Sequence, residues 1–256
     1  MKKHEEQPMN LHSAPSVWAM ALICACCSAF AVDNDATSWV DQTPPPFGLM
    51  QDGIFLTPRI GLMTGNKTWR TSDGGRTWVE VCAQGFWNLT FADDQVGWAC
   101  TGGWAGPPGL IYKTSDGGQT WHEVFRGPVG LMAVAAGDRD HIVAGSPWRS
   151  DSVWVSDDGG TTWQERQGAG ADVHGLLAAG PSEFFALGLE GRLAHTTDAG
   201  ITWTTLCTVP GKRCHHGSLL RLEDGTLFAT FAGGLHRSED GGHTFAPVAG
   251  APAGCD

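Results

Sequence analysis

Charged side chains are scarce in this chain. Asp, Glu, Lys and Arg make up only 17% of its 256 residues. Positive charge is scarcer still, with 16 Lys and Arg against 27 Asp and Glu and a formal net charge of −11. That balance argues against nucleic acid or an anionic membrane surface as a partner, since both need a basic patch. No stretch after residue 35 shows helical periodicity, which argues against a helical domain. The apolar run Val17–Phe30 is too short to span a bilayer. Nucleophile elbow, phosphate loop and zinc-ligand spacing are all missing. Tyrosine occurs once, as Tyr112. What the chain has in abundance is glycine, 36 residues of it, as expected of a turn-rich all-β protein.

Against that background one octet stands out, written five times. The copies run Thr71–Trp78, Thr114–Trp121, Ser156–Trp163, Thr196–Trp203 and Ser238–Phe245, each reading Ser/Thr-x-Asp-x-Gly-x-Thr-Trp/Phe. Their aspartates, Asp73, Asp116, Asp158, Asp198 and Asp240, are separated by 43, 42, 40 and 42 residues. Such a period is the length of one four-stranded propeller blade. The chemistry is that of a self-bonded turn. The carboxylate accepts backbone N–H groups around the corner, as in Asx turns. Glycine at the second position after Asp supplies a positive φ, and Thr resumes β structure. The aromatic (Trp78, Trp121, Trp163, Trp203 or Phe245) is an apolar wedge for the blade interior. Regularly spaced aspartates could suggest calcium, but each box offers one carboxylate that its own turn uses. A structural role is expected for all five.

This octet resembles the Asp-box, or BNR repeat, shared by sialidases, Vps10-type receptors and Ycf48-type photosystem II assembly factors. The Asp-Gly-Gly-x-Thr-Trp form, in a short chain built of little else, is most similar to the Ycf48-type proteins. The resemblance covers about residues 38–248. It implies an all-β propeller of four-stranded antiparallel blades. Five blades are expected, with a sixth, imperfect one as the rival, although Ycf48-type propellers usually carry more. It also implies a scaffold or assembly role for a membrane complex. The arginine-rich surface thought to serve that partner has no counterpart here, where basic residues are few and scattered.

The ends suggest export. Lys2 and Lys3 precede the apolar run, and Ala29-Phe30-Ala31 offers a cleavage site, giving a signal peptide over 1–31 and one propeller domain over 32–256. Periplasmic or secreted location follows, with no membrane insertion after cleavage. Cys26, preceded by Ile23-Cys24-Ala25, matches a lipobox poorly and leaves lipid anchoring as the lesser alternative. Export favours oxidation, so Cys82–Cys100 and Cys207–Cys214 are the expected disulfides. Cys255 is left over; it could be free, join another chain or replace one of these partners.

Counting strands from each box sorts the loops onto two faces. First-to-second turns share a face with the boxes. Second-to-third turns and blade-to-blade crossings share the other, which collects Trp87, Asn88, Trp104, Trp148, Arg149, His174, Arg213, His215 and His216. Aromatic and polar side chains on loops of a rigid scaffold suit a binding surface. Each could equally cover its own blade. Ser38-Trp39-Val40 resembles the strand after a box and could close the ring against the last blade. His215-His216 lacks a third ligand at diagnostic spacing, so no metal site and no cofactor are expected.

Catalysis would need more. A sialidase uses an arginine cluster, a tyrosine nucleophile with a glutamate, and an acid/base aspartate. Tyr112 lies four residues before Asp116, where Trp69 and Trp154 stand in their blades, which makes it a core residue. Pro58-Arg59-Ile60-Gly61 echoes the sialidase Arg-Ile-Pro signature but has no proline after the isoleucine. On the loop face only Asp151, Asp172 and Glu190 are plausible acids. The expectation is a non-catalytic module that binds a protein, with a glycoside hydrolase as the alternative.

Overall fold

A computed structural model describes residues 30–31, 40–41, 50–102, 108–147, 151–170, 172–209, 218–231 and 234–251. Two short strands, β1 (Phe30–Ala31) and β2 (Val40–Asp41), pair with one another. Five four-stranded antiparallel sheets follow, each in simple sequence order. Blade 1 holds β3 (Met50–Phe55), β4 (Gly61–Gly65), β5 (Thr68–Thr71) and β6 (Val79–Cys82). Blade 2 holds β7 (Asn88–Phe91), β8 (Gly97–Cys100), β9 (Gly109–Thr114) and β10 (His122–Gly127). In blade 3 these are β11 (Ala133–Ala136), β12 (Ile142–Gly145), β13 (Ser152–Ser156) and β14 (Gln164–Gln167). Blade 4 has β15 (Val173–Ala178), β16 (Phe184–Gly188), β17 (Arg192–Thr196) and β18 (Thr204–Thr208). Blade 5 has β19 (Leu219–Arg221), β20 (Leu227–Phe231), β21 (Gly234–Ser238) and β22 (Ala246–Pro247).

The result is a five-bladed propeller. The first strand of each blade lies innermost, and from blade 1 to blade 5 each packs against the first strand of the next. Middle strands are covered on both sides: Ile142–Gly145 and Phe184–Gly188 are buried throughout. Outer strands such as Gln164–Gln167 are polar and exposed, which protects the sheet edge. Apolar clusters fill the four successive junctions between blades. Tyr112 lies in the first of them, against Phe86 with ring centroids 5.3 Å apart, as its position before the box implies.

Every box closes in the same way. The hydroxyl of Thr71, Thr114, Ser156, Thr196 or Ser238 donates to the box Asp Oδ1 at 2.7–2.9 Å. The same hydroxyl oxygen accepts the N–H of the second glycine position at 2.8–3.1 Å. Four residues beyond the Asp, Thr donates its N–H to Oδ1 and its hydroxyl to Oδ2, the latter at 2.6–2.7 Å. Each carboxylate is thereby saturated by its own turn. In Trp78, Trp163 and Trp203 the indole N–H returns to the second-glycine carbonyl at 3.0 Å.

Three expectations need correction. The left-handed turn spans two residues after Asp rather than one, as Gly74 and Gly75 show with φ of 77° and 88°. Val40 pairs with Ala31 instead of closing the ring, and blade 5 takes its outer strand from Ala246–Pro247. Cys82 and Cys100 are free thiols. Cys100 packs into the cluster between blades 2 and 3 whereas Cys82 lies against the one between blades 1 and 2. Cys207 is also a free thiol, half-buried, while Cys214 and Cys255 lie outside the described residues.

Box 4 breaks the two-glycine rule. Ala199 occupies its first left-handed position with φ of 58°, where an alanine Cβ meets the following carbonyl. Ala199→Gly is expected to raise unfolding stability by about 1 kcal/mol, measured by urea denaturation with an unchanged m-value.

Candidate functional site

Strand order divides the molecule into two working surfaces. The boxes and the first-to-second turns form one, and they are bonded together. The N–H of Gly74, Gly117, Gly159 and Ala199 donates to the carbonyl of Arg59, Gln95, Asp140 and Ser182 respectively, at 2.9–3.0 Å. The opposite surface carries the blade-to-blade crossings and the second-to-third turns.

On that second surface, Asn88 opens β7 and joins three blades. Its amide donates to Asp52 Oδ2 at 2.7 Å, and its carbonyl oxygen accepts the Val134 N–H at 2.8 Å. Asp52 also accepts Leu89 N–H and Gly53 N–H, both at 2.8 Å. Thr90 repeats the link one pair further along, accepting Ala136 N–H at 3.1 Å. Trp87 is half-buried against the cluster between blades 2 and 3. His174 is buried at a register shift in β15, beside Asp172, whose φ is 58°. The Asp172 carbonyl accepts Leu189 N–H at 3.0 Å, tying the crossing to the second-to-third turn. Asp151 Oδ1 accepts the Gly170 N–H at 2.8 Å. Trp104, Trp148, Arg149, Arg213, His215 and His216 lie outside the described residues. The strands that precede them in sequence, β8, β12 and β18, end on this same surface.

Sequence reading missed Asp52. The available signal was a lone carboxylate in an apolar inner strand, Met50-Gln-Asp-Gly-Ile-Phe55. Burial pushes its carboxyl up from 3.8 to about 6, against the lowering effect of its bonds from Leu89, Gly53 and Asn88. Burial, and next the Asp52 charge, also push the Cys100 thiol upward. The boxes behave oppositely. Bonds from Thr77 hold Asp73 down at about 2, and those from Thr162 lower Asp158.

The box surface carries two hollows at equivalent places in the repeat. One, of about 280 Å³, lies between blades 2 and 3 and is lined by Lys113, Val124 and the box residues Gly159, Gly160 and Thr161. The other, of about 320 Å³, lies between blades 4 and 5, where His195, Leu206 and Gly241 take the same places.

The opposite pKa shifts give stability two pH arms. A raised native carboxyl makes folding less favourable as pH climbs from 3.8 toward 6, and the lowered box carboxyls make it less favourable as pH falls below 3.8. Asp52→Asn is therefore expected to remove the decline in melting temperature between about pH 4 and 6, leaving the acid arm in place. Differential scanning calorimetry across that range checks it.

A BNR/Asp-box repeat model matches residues 154–165, which include box 3. No curated protein matches the sequence. Among solved structures the chain is similar to Ycf48 bound to a D1 peptide, with 20% identity and a TM-score of 0.58, covering 79% of this chain and 67% of that one. It is similar to Ycf48 from Cyanidioschyzon merolae at 17% identity and TM-score 0.55, covering 77% and 70%. The GH74 xyloglucanase from Xanthomonas campestris gives 14% identity and TM-score 0.62, covering 79% of this chain but 38% of the enzyme. This chain thus spans little more than a third of that enzyme. Likenesses at these identities speak for the fold. Five saturated boxes, five four-stranded blades and these matches make the chain a β-propeller built of BNR/Asp-box repeats.

Proposed function

We propose that this chain is an exported, non-catalytic propeller that binds a protein, and that it does so through the face opposite the boxes. The observation that carries this reading is the asymmetry between the two faces. Box-face turns repeat one bonding scheme in four of the five blades, whereas the crossings and second-to-third loops differ in sequence from blade to blade and hold the aromatic and polar candidates. Ycf48, whose structure includes a bound D1 peptide, has a similar fold, which supports a polypeptide as the occupant. The identity of a photosystem partner is not carried over, because this chain has only 16 basic residues in all.

Similarity to GH74 structures favours one second reading, a glycoside hydrolase acting on extracytoplasmic glycans. Such an enzyme needs two carboxylates across a common cleft, about 5–9 Å apart. Asp151, Asp172 and Glu190 are the acids on the loop face. One of them, Asp151, already receives a backbone N–H.

Two measurements separate these readings. Capture of a partner from envelope extract is expected to fall about tenfold or more when Trp104 and Trp148 are both changed to Ala, as for aromatic hot spots. Undiminished capture by that variant would overturn the loop face as the docking surface. On a panel of aryl glycosides the wild-type protein is expected to show no turnover. Turnover that disappears with Asp172→Ala or Glu190→Ala would instead establish the hydrolase.

A further inference from the structure

The junctions between blades repeat one contact, and its variation from blade to blade identifies a second binding site. Three residues before each box Asp stand Arg70, Lys113, Val155, His195 and Arg237. In blade 1, Arg70 Nε donates to the Gly117 carbonyl of the next box at 2.8 Å. In blade 2, Lys113 Nζ donates to the Gly159 carbonyl at 2.7 Å and sits 5.3 Å from the centre of the Trp98 ring. At the junction of blades 3 and 4 Val155 packs against the second box position, 2.8 Å from where a Cβ on Gly200 would fall, as Leu193 does against Gly242 at the next junction. In blades 1 and 2 a cation thus caps the first carbonyl after the next box Asp, and a hollow of about 280 Å³ persists beside Lys113.

At the junction of blades 4 and 5 that cap is missing. His195 occupies the cation's position but turns to Glu183, its Nε2 lying 3.1 Å from Oε1, and stacks on Phe185 at 4.4 Å. Phe185 pairs with His195 as Trp98 pairs with Lys113, so an aromatic floor is retained. Nothing lies within 4 Å of a Cβ built on Gly241, whereas Lys113 Nζ lies 3.1 Å from the same point on Gly159. Among the described residues no donor reaches the Gly241 carbonyl, and its N–H lacks the bond to the first-to-second turn made by the other four boxes. What remains is the hollow of about 320 Å³.

Its walls suit a cation. Glu183, Asp224 and Glu239 line it against one guanidinium, Arg221. Glu239 is shared with Arg237 at 2.8 Å, and Asp224 accepts Thr226 N–H at 2.9 Å, so each carboxylate keeps acceptor capacity. The neighbouring junctions show inside this molecule what fits such a space: a long-stemmed cation on an aromatic floor, donating to the first carbonyl after a box Asp.

We propose that the hollow between blades 4 and 5 receives a lysine or arginine side chain of a partner polypeptide, completing there the contact that Arg70 and Lys113 make within the chain. The site is on the box face and is independent of the loop-face reading. Lys and Arg share the required chemistry, as Lys113 and Arg70 show at the neighbouring junctions.

The test uses the full chain, ¹⁵N-labelled, titrated with blocked Gly-Lys-Gly, Gly-Arg-Gly and Gly-norleucine-Gly peptides. Amide shifts are expected at Gly241, Gly242 and His195 with the cationic peptides and not with norleucine. His195→Lys supplies the chain's own ammonium to the hollow and is expected to weaken peptide binding about tenfold, the scale of a charge-assisted hydrogen bond. Glu183→Gln, which keeps the side-chain shape, is expected to weaken it about threefold. The Trp104→Ala, Trp148→Ala double variant is expected to bind these peptides as wild type does. Equal binding of norleucine, unchanged affinity in His195→Lys and Glu183→Gln, or loss in the tryptophan double variant would each overturn the proposal.

Discussion

The structure depends on a carboxylate that never leaves its own turn. In each box the Asp takes a hydroxyl from before it and both donors of a Thr after it, which forces two left-handed residues between them. This geometry also makes each box a docking surface. The second glycine has no side chain because a neighbour needs the space: Leu62 of blade 1 lies against Gly118, Trp98 of blade 2 against Gly160, and Leu193 of blade 4 against Gly242. The box aromatic points into the same junction, with Trp121, Trp163, Trp203 and Phe245 joining four successive clusters. One octet therefore specifies both the corner of a sheet and the surface that meets the preceding blade.

Once the corners are self-satisfied, the junctions are free to vary. Position three before the Asp shows this most plainly. Arginine and lysine bridge to a backbone carbonyl, valine packs dry, and histidine is drawn aside by a glutamate. Apolar area supplies the adhesion at the four successive junctions, and this residue decides whether the first box carbonyl beside it is capped. The inner strands are joined differently, through Asp52, Asn88 and Thr90, whose side chains satisfy backbone N–H groups of the following blade. Such polar links fix the register of one blade on the next, at the cost of burying a carboxylate.

Much of the fold could be read from residues because the repeat is local. Hydroxyl, carboxylate, glycine and threonine lie within seven positions of each other, so their bonds need no knowledge of distant chain. The place of Tyr112 in the core followed from the same register. Asp52 was not legible, since its partner Asn88 is in another blade and nothing local to Met50–Phe55 marks it. The cysteines misled for a related reason. Expected export suggested Cys82–Cys100, but successive residues of a strand face opposite junctions, and Cys100 points away from the cluster that Cys82 adjoins. Asn88, read as a candidate on the loop face, is half-buried and also ties three blades together.

The sequence alone determined the blade, its corners and the number of times both recur, because turn chemistry and period act within one repeat. Which side chains bridge neighbouring blades, which thiols stay apart and which junction keeps a hollow were decided only in the tertiary structure. Those outcomes depend on pairs of residues some forty positions apart, brought together when one sheet packs on the next.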